Sequence, residues 1–135
     1  MTTRRSVAGV LAFISLLVVR SAVGANLADL KDTTPEERAT VQTMMMREKL
    51  GLKEGDVSKV AAINKKYAEK MDPVIKGTEG PLIKMQHAKA IEQEKEAELK
   101  KVLSQDQFEK FLAMKEEMRE KLAQKVKERR AQGGK

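Results

Sequence analysis

Val102-Leu103-Ser104-Gln105-Asp106-Gln107-Phe108 is the stretch that decides the fold, because one helical pattern stops in it and another begins. Ser104 has the hydroxyl to cap a helix by accepting from a first-turn amide, and Gln107, three residues on, can reach back to the amide of Ser104. Upstream, Ala88, Ile91, Leu99, Val102 and Leu103 stand among many charges; downstream, Phe108, Phe111, Met114, Met118, Leu122 and Val126 recur at spacings of three and four. Two long helices meeting at a tight corner are predicted.

The same grammar can be read outward from that corner. Thr34-Pro35-Glu36-Glu37 offers a cap, a proline where a missing amide hydrogen costs nothing, and the glutamate of a second capping box. A helix should run from there to Leu50 and stop at Gly51. In the next corner, Leu50-Gly51-Leu52-Lys53-Glu54-Gly55-Asp56, lysine stands where a threonine or serine would cap, which leaves Asp56 as the expected cap. The following helix carries Val57, Val60, Ile63, Tyr67 and Met71 and should last to about Met71, since Pro73 disfavours helix at Asp72. Lys76-Gly77-Thr78-Glu79-Gly80-Pro81 is a loop between two helical hairpins. A third helix, from about Leu82 to Leu103, has a charged middle, Glu92 to Glu98, that offers only Ala97 to a core. The fourth runs from Ser104 to about Arg129. Its end collects Lys121, Lys125, Lys127, Arg129 and Arg130, which ordinary helix-terminus electrostatics accounts for, with an anion-binding site as the alternative.

Arg4 and Arg5 precede an uncharged apolar run, Val7 to Val19, followed by the small residues Ala22-Val23-Gly24. Thirteen residues are too few for a span of about 20, so residues 1–24 read as a secretory signal cleaved near Gly24/Ala25, which would send the protein out by the general secretory route. A short arm over 25–33, a helical domain over 34–131 and a disordered tail over 132–135 complete the organisation. Removing 1–24 takes away three arginines and no acid, so the net charge falls from +7 to +4. Export and the scarcity of aromatics, Tyr67, Phe108 and Phe111 alone after residue 24, argue against a nucleic-acid partner. There is no cysteine, hence no disulfide framework. Leu, Ile, Val and Phe make up only 21 of the 111 residues after Gly24, so one protomer has little with which to build a core, and a homodimer is expected to cover what remains exposed.

His87 is the single histidine, and the carboxylates are spread among lysines rather than gathered around a nucleophile. No catalytic site, cofactor site or metal site is therefore expected, and the protein does not read as an enzyme. What the chain has is methionine, with Met44-Met45-Met46 covering nearly 300° of a helix, too wide an arc for one buried face. Flexible, polarisable methionines suit surfaces that accept varied partners, and an exposed binding function is expected for Met44, Met45 and Met46.

Leu103-Ser104-Gln105-Asp106-Gln107 resembles the L-T-x-x-Q motif of the Spy/CpxP family of periplasmic chaperones, with serine for threonine. Leu50-Gly51-Leu52-Lys53-Glu54-Gly55-Asp56 looks like a degenerate first copy, with Lys53 for threonine and Asp56 for glutamine. The resemblance implies an all-α, four-helix, cradle-shaped antiparallel dimer. It would hold unfolded or misfolded exported proteins without ATP, on contacts from Met44, Met45, Met46, Ile63, Tyr67 and Met71. Leu50, Leu52, Leu103, Ser104 and Gln107 would then be structural corner residues. Within the same resemblance, a regulator that binds the sensor domain of an envelope-stress kinase is the alternative; a helical adaptor without client-holding activity lies outside it.

Overall fold

Every helix boundary in this chain follows from how the first amides and last carbonyls find partners. In the computed structural model, which describes residues 32–133, α1 is Pro35–Leu50, α2 Glu54–Lys76, α3 Pro81–Val102 and α4 Gln105–Gly133. No strand occurs among the described residues. The protein is all-α. The proposed signal, most of the arm and the last two residues lie outside the described residues.

At the head of α1 the Glu37 amide donates to Thr34 Oγ1 at 3.1 Å while the Thr34 amide donates to Glu37 Oε2 at 2.8 Å, a complete capping box with Pro35 at the first helical position. Gly51 closes the helix at φ 64°, a left-handed conformation that a side chain would strain. Ser104 and Gln107 form the equivalent box before α4, with the Gln107 amide 3.2 Å from Ser104 Oγ and the Ser104 amide 3.1 Å from Gln107 Oε1.

Three boundaries differ from expectation. Lys53, not Asp56, holds the N-cap position of α2, and it makes no side-chain cap; Asp56 lies inside the first turn, its amide donating to the Lys53 carbonyl. Pro73 does not end α2, which continues to Lys76. A proline inside a helix removes one backbone bond, but the turn is held from outside by Arg38 of α1, which reaches Asp72 at 2.6 Å, and from within α2 by Lys76, four residues on, which reaches the same carboxylate at 3.0 Å. The helix stops at Gly77, whose amide donates to the Pro73 carbonyl; a Cβ there would lie 2.6 Å from that oxygen. The fourth helix also runs to Gly133, past the predicted start of the tail at residue 132.

The hairpin α1–α2 carries the most extensive packing, and α3 lies antiparallel along the other side of α2, tied to it by Lys66–Glu98 and Lys70–Glu94 ion pairs. After the corner at Ser104, α4 packs chiefly on α1 and is tied back to α3 by Lys115, which pairs with Glu92 and Glu96. The core gathers Met46, Leu50, Leu52, Val60, Ile63, Tyr67, Leu99, Leu103, Phe111 and Met114 around the two corners. Of the 29 residues of α4, only Phe111 and Met114 are buried, and the helix runs on past them beyond the bundle. No described helix is long and apolar enough to cross a membrane.

Candidate interaction surface

The residues expected to contact a partner divide between core and surface. Met46 is 2% exposed and Met45 9%, both facing inward, whereas Met44 is 43% exposed. The expectation of a wholly exposed methionine run is thus corrected. Three successive residues do sweep a wide arc, but α1 is covered on more than one side, by α2 and by α4, so two of the three find interior positions. Ile63 and Tyr67 are buried as well, and Met71 is half-buried. Leu50, Leu52 and Leu103 lie in the core at the corners, beside the capping box of Ser104 and Gln107.

Tyr67 is held in place rather than presented. Its hydroxyl donates to Glu98 Oε1 at 2.8 Å, and burial, reinforced by that acceptor, pushes its pKa up. The ammonium groups of Lys66 and Lys70 stand 5.2 and 5.1 Å from its ring centre, within cation–π range. Glu98, bonded first by Lys66 and then by Tyr67, is held below the usual carboxylate range.

Met44 borders an open groove of about 290 Å³ between α1 and α2, lined also by Glu36, Ala39, Thr40, Thr43, Ala61 and Lys65. Beneath it Asn64 is fully buried. Its amide donates to Thr43 Oγ1 at 3.0 Å and approaches Met46 Sδ at 3.5 Å, while its Oδ1 has no partner among the described residues. A second apolar area lies at the start of α3, where Leu82, Ile83 and Met85 are 63, 46 and 62% exposed. Sequence reasoning passed over these three residues; the signal was an apolar first turn directly after Pro81, with no acid in it.

Lys95 was also unforeseen. It is 5% exposed, its ammonium donates to Gln42 Oε1 at 2.7 Å, and burial holds its pKa below the ordinary lysine value, with Glu92 opposing the shift and Lys115 adding to it. Ala97, the one residue that charged segment offered to a core, is exposed. His87 sits on the surface 3.1 Å from Glu79. Among the described residues no group of three His, Cys, Asp or Glu side chains is placed to hold a metal ion.

These features define an all-helical protein that leaves both apolar and charged side chains on the surface of its described residues. Residues 25–111 match a family described as a domain of unknown function (DUF4890), and the chain belongs to that family. No curated protein and no solved structure matches the chain.

Proposed function

We propose that the protein is an exported, ATP-independent chaperone that holds unfolded or misfolded envelope proteins and keeps them from aggregating. The observation that carries the reading is the large share of apolar side chains left on the surface of so lean a fold. Met44, Leu82, Ile83 and Met85 stand in the open on α1 and α3, with Lys65 beside the first and Lys84 among the other three. Such surfaces bind extended chains through many weak contacts: charges steer the encounter and flexible methionines adapt to different sequences. The capped corner at Leu103-Ser104-Gln105-Asp106-Gln107, which resembles the Spy/CpxP motif, supports the same reading, as do the signal-like first 24 residues. A homodimer belongs to this proposal.

The test is the aggregation of an unrelated unfolding substrate at near-stoichiometric ratios, with neither nucleotide nor metal added. The wild type should suppress it. A variant with Met44, Leu82, Ile83 and Met85 all replaced by glutamine should lose most of that activity while keeping its helical content and melting temperature. Replacing Met45 and Met46 should instead unfold the protein, because both are core. If the wild type leaves aggregation unchanged but binds one sensor-kinase domain saturably, regulation replaces client holding.

A further inference from the structure

The apolar seam that buries α4 does not stop where the bundle stops. Phe111 and Met114 are 4 and 8% exposed against the other helices, and one to three turns later Met118, Leu122 and Val126 continue the same side of the helix at 48, 46 and 37% exposure. At about 100° per residue, Met118 and Val126 lie about 40° to either side of Leu122. The charges around this seam are largely, not wholly, sorted. Arg119, Lys121, Lys125, Arg129 and Arg130 fall within about 100° of Leu122, whereas Glu116, Glu117, Glu120 and Glu128 lie about 120° or more away, on the far side, with Lys127 among them at about 140°. Two of the near-side cations also pair across to that side, Arg119 with Glu116 and Lys121 with Glu117. Capping electrostatics would place cations near the C-terminus at any angle; it does not account for their gathering around the seam.

We propose that this projecting half of α4 is a docking surface for an acidic polypeptide segment that presents apolar residues at helical spacing with carboxylates beside them. An amphipathic partner laid along the helix would cover Met118, Leu122 and Val126 and place its acids against the flanking cations. A second copy of this face is the wrong occupant. Parallel or antiparallel, it would set one basic flank against another, a like-charge arrangement that suppresses pairing. A membrane surface is also a poor fit, because Phe111 is the last aromatic of the chain and three isolated apolar side chains give little to insert. This surface is distinct from Met44 and the start of α3, and it stands or falls separately from client holding.

The experiment titrates the purified full chain with a fluorescent helical peptide of about five turns that carries leucines at spacings of three and four flanked by glutamates, and with the same peptide carrying lysines in place of the glutamates. The acidic peptide should bind at least tenfold more tightly, and raising salt from 50 to 500 mM should weaken it several-fold through screening. Leu122→Gln with Val126→Gln should reduce binding tenfold or more, as should Arg119→Glu with Arg129→Glu, both with unchanged melting since these side chains are exposed. Equal binding of the two peptides, or insensitivity to both double variants, overturns the proposal. So does a preference for phosphatidylglycerol vesicles over the acidic peptide, which would make the surface a membrane contact. Self-association in ultracentrifugation that Leu122→Gln with Val126→Gln abolishes would assign the seam to a second copy and overturn it too. Peptide binding without suppression of aggregation would leave this surface standing and remove the chaperone reading.

Discussion

Lys95 shows what a single residue costs when the helix around it needs length more than composition. Its ammonium is buried against the amide oxygen of Gln42 and has no carboxylate within ion-pair distance among the described residues. A cation taken out of water without a counter-charge is penalised, and replacement by an apolar side chain of similar shape is often stabilising. Lys95→Met should therefore raise the urea midpoint at pH 7 by the equivalent of about 1 kcal/mol. The pH dependence supplies a second check. Because the folded-state pKa is lowered, the penalty is full below that value and fades as pH rises through it towards the ordinary lysine value of about 10.4. Wild type should therefore gain on Lys95→Met as the buffer is taken from pH 7 to 10.5, and a constant difference between the two would refute this account. The orphaned Oδ1 of Asn64, fully buried between α1 and α2, is the other polar burden of the core.

At the scale of the helix, the caps divide into satisfied and unsatisfied. Ser104 makes both bonds of its box, so Ser104→Ala should destabilise by about 1 kcal/mol. Lys53 sits at the N-cap of α2 with extended backbone and no side-chain bond, so Lys53→Ser should stabilise by about 0.5–1 kcal/mol. Thermal melts of the two variants moving in the same direction would contradict both assignments. Local chemistry of this kind was legible in the sequence: Thr34-Pro35, Gly51 and Ser104 fixed three of the boundaries because each acts within one turn of itself. What was not legible depends on partners distant in the chain. Pro73 stays within α2 because Arg38, 34 positions upstream, grips Asp72. Met45 and Met46 turn inward because α1 is flanked on two sides, a fact that no periodicity within α1 contains. The charged middle of α3 reads as a solvated segment, yet Lys95 is buried there and Ala97 is not, because α3 turns to the core the line of Ile91, Lys95, Leu99 and Val102, from which Ala97 is rotated away.

Taken whole, the molecule has a small core confined to the two corners, and its helices are held in register elsewhere by ion pairs: Arg38–Asp72 joins α1 to α2, Lys66–Glu98 joins α2 to α3, and Lys49–Glu117 joins α1 to α4. The carboxylates of all three pairs are held below their ordinary pKa. Arg38 and then Lys76 bond Asp72, Lys66 and then Tyr67 bond Glu98, and Lys121, with Lys49 further off, stabilises charged Glu117. A carboxylate with a lowered folded-state pKa contributes stability that is complete above its unfolded value, about 3.9 for Asp and 4.3 for Glu, and is lost as pH falls through the folded-state value. With little apolar burial to compensate, the melting temperature should be flat between about pH 5 and 8 and fall steeply below about pH 4. The exposed pairs are each weak alone, whereas Arg38–Asp72 is largely shielded from solvent, so the informative variant removes Asp72 together with a second carboxylate that joins helices. Asp72→Asn with Glu98→Gln should melt lower than wild type at pH 7 and lose less on acidification, so the two curves converge as pH drops. Parallel curves would place the acid sensitivity in other carboxylates and leave the core, rather than these pairs, as what keeps the helices in register.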